Sequence, residues 1–203
     1  MNRIIASTTR NALFSLTAVA LLGACAQKDE GMAADSSAMG MSAMPAPDAA
    51  PAAPTVTDAQ IAAIVVAANT VDIDAGKLAQ SKSGNAEVKA FAAEMIRDHG
   101  AVNEQATALV TKLNVTPETN PTSESLTAGG KANTDSLANM SGAAFDKAYI
   151  ANEVTYHQAV LDALDNTLIP SAQNAELKAL LVATRPAFVA HLQHAKTVQA
   201  SMM

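Results

Sequence analysis

The sequence predicts an all-α protein whose folded part is a four-helix bundle, and three observations lead to that prediction. Alanine is abundant while aromatic residues make up 3% of the 203 residues, a composition that favours helices over sheets. Apolar residues recur at steps of three and four in four long segments, and no segment shows the alternation of a half-buried strand. Breaks rich in glycine, proline or asparagine separate these segments. Together they span residues 57–201, which is ample for one hydrophobic core.

The first 24 residues have the pattern of a bacterial lipoprotein signal peptide. Arg3 and Arg10 give a positive start, residues 12–22 are a short apolar segment, and two small residues precede Cys25. A membrane-spanning helix needs about 20 apolar residues, so a transmembrane anchor or a buried helix is the weaker interpretation. The pattern predicts cleavage before Cys25 and lipidation of its sulfur, which would hold the protein on the periplasmic side of the inner or outer membrane.

Charge and cysteine content limit the partners of the mature chain. Loss of the signal removes two arginines and no acid, which takes the formal net charge from −6 to −8. An acidic chain without a basic run is a poor candidate for nucleic acid or for anionic lipid head groups. The predicted membrane contact is therefore the lipid on Cys25, and no protein partner is identified. Because Cys25 is the only cysteine, no disulfide can join the predicted helices.

Residues 25–56 are predicted to be a disordered tether between the lipidated cysteine and the bundle. They are rich in alanine, methionine, proline and serine and show no apolar periodicity, so little burial can offset the entropy of ordering them. Four methionines lie close together here, and thioethers are suitable ligands for copper(I). The linker interpretation is preferred because no histidine lies among them.

The first two long helices are predicted to form a hairpin with a short turn. Helix 1 begins at Thr57 or Asp58, either of which can act as an N-cap, and ends near residues 83–84. Helix 2 begins at Asn85, another N-cap residue, and stops before Pro117.

A polar connection of roughly 30 residues follows, which is long for a compact domain. It reaches to about Gly142, with Pro121 and the glycine pair 129–130 as breakers and a short helix around residues 131–139.

The last two long helices are predicted to form a second hairpin. One runs from about Ala143 to Leu168 and ends at Pro170, and the other spans residues 174–200. Pro186 lies inside the last helix, where its missing N–H is expected to cause a kink. Two hairpins and a long connection fit a bundle with one crossover, the ferritin-like topology. A simple up-and-down bundle is the alternative.

Ionisable groups fall on the apolar stripes of all four predicted helices when residues are placed at 100° per step. They are Asp72, His99, Glu153, His157 and His191. Such groups are rarely buried unless they are paired or bind a metal, and imidazole with carboxylate suits iron, zinc, manganese or copper. The set therefore predicts a transition-metal site in the bundle core.

Depth along the helices is compatible with one site. At 1.5 Å per residue, Asp72 and His99 differ in depth by roughly 6 Å, and Glu153 and His191 by roughly 3 Å. Each pair can therefore share a layer, while His157 lies one turn nearer its loop. The alignment of the two hairpins with each other is left open.

Three further polar residues are weaker candidates. Glu94 and Asp98 lie on the flank of the second helix, where each is either solvated or orients a ligand. His194 follows His191 by three residues but leans toward the rim, and a surface position is preferred for it.

Four stretches of the chain, residues 72–79, 88–99, 145–157 and 185–192, carry a resemblance to a known family. The most specific element is the run Phe-Ala-x-x-Met-x-x-Asp-His that ends at His99, with a later helical histidine and a proline-to-histidine spacing near the end. These features resemble the exported bacterial family catalogued as domain of unknown function 4142. The similarity covers nearly all of residues 61–198.

The resemblance implies a ferritin-like bundle outside the cytoplasm, often behind a signal or lipid anchor, with no established activity. The motif positions of the family correspond here to Asp72, Asp98, His99, His157 and His191.

The leading hypothesis is a lipid-anchored, periplasm-facing domain that binds a transition metal for metal handling or for redox and stress protection of the envelope. The alternative is a non-catalytic lipoprotein with a buried polar network and a protein-binding surface. Non-covalent haem held by two of His99, His157 and His191 ranks third, since the chain has no haem-attachment motif. No motif for a nucleophile or a phosphate loop is present, and no enzymatic activity is predicted.

Overall fold

The structure is a computed structural model that describes residues 56–203. The predictions for the signal peptide (1–24), for lipidation of Cys25 and for the tether (25–56, except its last residue) therefore lie outside the described residues. Residues 56–203 form five helices and no strand, which confirms the all-α prediction. No helix in this part of the chain is long and apolar enough to cross a membrane.

The first hairpin consists of α1 (Asp58–Lys82) and α2 (Ala86–Lys112). Thr57 caps α1 because its hydroxyl accepts the backbone N–H of Gln60 at 3.2 Å, while the Gln60 side chain accepts the N–H of Thr57 at 3.1 Å. The side chain of Asn85 accepts two backbone N–H groups at the start of α2. The predicted helix starts are thus confirmed, with Thr57 as the N-cap of α1.

Asp58, the other predicted cap, has a different function. Its carboxylate accepts the backbone N–H groups of Gln173 and Asn174, both at 2.9 Å. Asp58 therefore connects the beginning of α1 to the turn of the second hairpin. The two hydrogen bonds join residues that are separated by 115 and 116 positions in the sequence.

The connection between the hairpins contains α3 (Pro121–Ala138), and here the prediction was wrong. A short helix at 131–139 was expected, with the glycine pair 129–130 as a breaker, but α3 is unbroken across both glycines. Asn120 and Ser123 form a capping box and Pro121 occupies the first turn, so the helix starts early. α3 then packs along α1, and this tertiary contact overrides the low helix propensity of glycine.

The second hairpin consists of α4 (Gly142–Ala163) and α5 (Ala175–Ser201). The helical chain of α4 continues through a π-helical turn (Leu164–Leu168) and a last α-helical turn (Ile169–Ser171). The predicted boundaries agree to within a few residues. α5 is continuous through Pro186, where the sequence predicts a kink.

Two apolar clusters fill the bundle, one toward each end. One includes Ile61, Val102, Leu161 and Leu192, and the other includes Ala75, Met95, Ile150 and Ala195. On α1, α2 and α4, buried polar residues lie in the sequence between members of the two clusters, and on α5 a buried histidine lies between Phe188 and Leu192, at the edge of the first cluster. They are Asn69 and Asp72 on α1, His99 on α2, Glu153 and His157 on α4, and His191 on α5. A polar layer therefore separates two apolar layers.

Gly130 allows α3 to approach α1 closely, and this leads to a prediction about stability. A Cβ at Gly130 would contact Val71, with Cγ1 at 2.9 Å and Cβ at 3.1 Å, so the whole valine side chain would have to move. We expect Gly130→Ala to lower the free energy of unfolding by about 1–3 kcal/mol through overpacking. Urea denaturation monitored by circular dichroism measures the change.

The matched control is Gly129→Ala, one residue earlier in the same helix. A Cβ there meets no described atom within 4 Å, so we expect this change to raise stability by about 0.5–1 kcal/mol. Equal effects of the two substitutions would contradict the close approach of α3 to α1 at Gly130.

Candidate metal centre

Three histidines from three helices meet in the polar layer and are called the histidine triad here: His99 of α2, His157 of α4 and His191 of α5. All three are buried, with at most 2% of their surface exposed. Their ring centroids lie 5.3 to 5.5 Å apart in each pair. One nitrogen from each ring lies within 4.8 Å of one nitrogen from each of the others. The rings thus converge on one point between the helices.

The orientation of His99 is set by Asn69 of α1. His99 Nδ1 lies 2.7 Å from Asn69 Oδ1, and Asn69 Nδ2 donates to the backbone oxygen of Val65 at 2.8 Å. Because the amide nitrogen is used by Val65, the amide oxygen faces the ring and accepts the Nδ1–H of His99. Nε2 is therefore the nitrogen of His99 that carries a lone pair.

The other two members of the triad are held in the same way by acceptors. His157 Nδ1 donates to the backbone oxygen of Glu153 at 3.0 Å, and His191 Nε2 donates to Asp98 Oδ2 at 3.0 Å. The guanidinium of Arg97 binds both oxygens of Asp98, at 2.7 and 3.0 Å, and lowers the pKa of that carboxyl. An ionised Asp98 is an acceptor only, so the lone pair of His191 is on Nδ1.

The second nitrogen of each triad histidine has no hydrogen-bond partner among residues 56–203. These atoms are Nε2 of His99, Nε2 of His157 and Nδ1 of His191. His99 Nε2 lies 3.3 Å from the Asp72 carboxylate, without hydrogen-bond geometry. A buried polar atom without a partner costs about 1–3 kcal/mol. A metal ion bound among the three rings would supply the partner that these buried nitrogens lack.

Two buried carboxyl groups adjoin the triad. Asp72 of α1 and Glu153 of α4 each place an oxygen within 4.8 Å of each other and of a nitrogen of His157. Neither oxygen of Glu153 has a hydrogen-bond partner in the described region. All five residues predicted from the sequence are thus brought together in one layer. This also answers the question of hairpin alignment that the sequence left open.

Burial favours the uncharged form of the groups in this layer. Loss of water raises the pKa of Asp72 to about 7 and raises the pKa of Glu153 well above its usual value, with a further contribution from the charge of Asp72. Burial also lowers the pKa of His157 to about 4 and holds the pKa of His99 well below its usual value. Without a bound cation, Glu153, His99 and His157 are therefore uncharged at neutral pH, and Asp72 is close to the midpoint of its titration.

The weaker candidates lie at the rim between α2 and α5. His194 Nδ1 pairs with Glu94 Oε2 at 2.6 Å, and their side chains are 40% and 28% exposed. The preferred surface position of His194 agrees with this arrangement. Asp98 lies between the solvent and the triad, where it orients His191.

Asn69 is a site residue that the sequence reasoning missed. It is 3% exposed and follows Val65 by four residues, which places it on the apolar stripe of α1. The periodicity that selected Asp72, three residues later, also selects Asn69. Asparagine carries no charge, so the cost of burying an ionisable group does not single it out.

A cavity of about 30 Å³ adjoins the centre, lined by residues that include Asp72, His99 and Phe188. A cavity needs about 10–15 Å³ of such space to hold one water molecule, so there is room for water beside Asp72 and His99.

Comparison with known proteins gives the family and the fold. Residues 43–198 match the family described as Domain of unknown function (DUF4142). The chain belongs to this family. The resemblance seen in the sequence is thereby confirmed, and this DUF4142 chain also resembles a solved structure of CopM in the Cu(II)-bound form. That likeness covers 73% of this chain and 99% of the CopM chain at 17% identity, with a TM-score of 0.57. Similarity at that level shows a shared fold. No curated protein matches the chain significantly.

The shifted pKa values predict how stability depends on pH in the metal-free protein. The carboxyl groups bind more protons when folded, so their contribution to stability falls as pH rises from about 4 through their folded pKa values. His99 and His157 bind fewer protons when folded, so their contribution is lost as pH falls from about 6.5 toward 4. The two effects oppose each other below pH 6.5. Above pH 6.5 the contribution of these two histidines is constant, so stability should fall with rising pH.

Glu153→Gln tests this expectation. The substitution removes one carboxyl group that keeps its proton on folding. It should therefore reduce the fall in the free energy of unfolding above pH 6.5 by up to about 1.4 kcal/mol per pH unit. Denaturant unfolding at several pH values, in the presence of a chelator, measures the slope of the free energy of unfolding against pH. This slope, and not the absolute stability, is compared between the variants. Glu104→Gln, an exposed position on α2, is the matched control and should keep the wild-type slope. A slope for Glu153→Gln equal to that of wild type would contradict the raised pKa.

Proposed function

We propose that this DUF4142 protein binds a transition metal ion in the centre of its bundle, with His99, His157 and His191 as nitrogen ligands. Asp72 and Glu153 would supply carboxylate oxygens to complete the ligand set. One observation carries the proposal. Each triad histidine is anchored through one nitrogen, and its other nitrogen is buried and has no partner among residues 56–203. The three rings lie together, with one nitrogen of each within 4.8 Å of one nitrogen of each of the others.

The spacing of the donor atoms supports a single ion. Two ligand atoms about 2.1 Å from one metal at a tetrahedral angle lie about 3.4 Å apart. Asp72 Oδ2 and His99 Nε2 are separated by 3.3 Å. Atoms at this distance can bind the same ion without a large movement of either helix.

Copper(II) is the ion that we propose first. Imidazole and carboxylate ligands suit copper, zinc and iron, and a site of this kind has its highest affinity for Cu²⁺ among the divalent first-row metals. The resemblance to CopM, whose structure is a Cu(II)-bound form, gives independent support for testing copper before the others. The only cysteine, Cys25, lies outside the bundle sequence, so the proposed site has no thiolate.

The polar-network alternative is supported less well. A network that stabilises a core needs its members to be hydrogen-bonded to one another. Within the described region, one nitrogen of each triad histidine lacks such a partner. Haem also ranks lower, because the adjoining cavity of about 30 Å³ has no room for a porphyrin unless the helices separate.

For the cell, we propose a role in handling metal ions at the envelope, with protection from metal or redox stress as its purpose. The lipoprotein signal pattern that ends at Cys25 supports attachment to a membrane on the periplasmic side. We propose no catalytic reaction, since the centre accounts for binding alone.

The direct test is copper titration of protein purified from cells that express the full chain. We expect one tightly bound Cu²⁺ per chain, with nitrogen hyperfine structure in its electron paramagnetic resonance spectrum. The double variant His99→Ala and His191→Ala should lose the tight site, because a single imidazole remains. His194→Ala is the matched control, since this histidine is half-exposed and pairs with Glu94. A wild-type protein that takes up no copper, zinc or iron would refute the proposal.

Thermal unfolding separates metal binding from the network alternative. An ion that binds only the folded state stabilises it by about 2.7 kcal/mol at a free concentration 100-fold above its dissociation constant. We therefore expect the melting temperature to rise when Cu²⁺ is added and to fall again when a chelator removes it. The double variant should show neither change. A wild-type melting temperature that is insensitive to both additions would favour the network.

A further inference from the structure

A second group of potential ligands lies between the histidine triad and the solvent. It consists of Glu94, Asp98 and His191 and is called the outer cluster here. One donor atom from each of the three lies within 4.8 Å of the others. The side chains of Glu94 and Asp98 are 28% and 30% exposed, while that of His191 is buried. The cluster therefore reaches from the surface to the buried layer.

His191 belongs to both groups of ligands. Its Nε2 faces Asp98 in the outer cluster, and its Nδ1 has no partner within residues 56–203 and belongs to the triad. Nε2 of this ring thus faces partly exposed ligands, while Nδ1 belongs to the buried group. The other ligands of the centre, Asp72, His99, Glu153 and His157, are at most 2% exposed. His191 is the triad member that has a ligand-type neighbour at the surface.

We propose that the outer cluster is a second metal site, which captures a divalent transition-metal cation from solution and delivers it past His191 to the histidine triad. This inference rests on the proposed function, because a loading site requires a centre to load. The chemistry of the cluster fits the task. Two carboxylates attract a cation, and the imidazole of His191 adds a nitrogen donor that suits copper, zinc or iron when the Nε2 proton moves to Nδ1 on arrival of the ion.

Arg97 competes with the cation for the outer cluster. Its guanidinium binds Asp98 through two hydrogen bonds, of 2.7 and 3.0 Å, and lies 4.0 Å from Glu94. The Arg97 side chain is 68% exposed, so it can swing into solvent without breaking a buried contact. An arriving divalent ion would take its place. The arginine thus neutralises the carboxylates when no ion is present and slows loading.

The test measures the rate of copper binding with protein purified from cells that express the full chain. The chain has no tryptophan and two tyrosines, and the ring of Tyr156 lies 6.3 Å from that of His157. Quenching of tyrosine fluorescence by Cu²⁺ in a stopped-flow instrument therefore reports arrival at the inner centre. Glu94→Gln should slow the second-order rate roughly 10-fold at low salt, and Arg97→Gln should increase it. Both effects should shrink at high salt.

The controls separate this inference from the proposed function. Glu104→Gln removes an exposed carboxylate of α2 outside the cluster and should load at the wild-type rate. Loading of Glu94→Gln and Arg97→Gln at the wild-type rate would overturn the outer site and leave the triad as the metal centre. A loss of final copper occupancy in Glu94→Gln, without slower loading, would also overturn it. A wild type that binds no metal would overturn both proposals.

Discussion

The structure depends on the removal of five ionisable side chains from water at the middle of a helical bundle. Desolvation of that many charges would cost more than the whole stability of a small domain if they stayed charged and unpaired. The bundle accommodates Asp72, His99, Glu153 and His157 because burial shifts the pKa values of these four groups toward their neutral forms. Apolar clusters on both sides exclude water from the layer. The low polarity that makes the groups neutral also makes any cation placed among them interact strongly with its ligands.

The histidines are fixed before any ligand arrives. Asn69, the backbone of Glu153 and Asp98 each accept one N–H from a triad ring, so each ring has one tautomer and one orientation. An ion would therefore lose little affinity to the ordering of its ligands. The three acceptors differ in kind: an amide, a main-chain oxygen and a carboxylate. Of these, the carboxylate of Asp98 is the charged one, an acceptor of the kind often found beside metal-bound histidines.

Most of the fold could be predicted from the sequence, because the features that mark helix starts and buried helix faces are local. Thr57, Asn85 and Asn174 are N-caps at the predicted helix starts, and the 3.6-residue period placed His99 and Glu153 on buried faces. The length of α3 was mispredicted because it depends on a contact that is distant in the sequence. Gly130 lies close to Val71 of α1, where a Cβ would not fit. The level of one hairpin relative to the other is also a long-range property, set in part by the contact of Asp58 with the turn before α5. Local periodicity cannot supply either.

The protonation of the layer bears on the kind of metal site that the bundle can provide. In small zinc domains the metal-free chain is unfolded, because its ligands do not form a core without the ion. Here two apolar clusters adjoin the layer, and burial favours the uncharged forms of Glu153, His99 and His157, so we expect the bundle to fold without metal. Binding Cu²⁺ to Asp72 or Glu153 would instead release the proton that burial keeps on the carboxyl group, and affinity would rise with pH. A folded metal-free state and an affinity coupled to protons are properties of a protein that takes up and gives back an ion. They fit handling of a metal better than its permanent retention as a structural element.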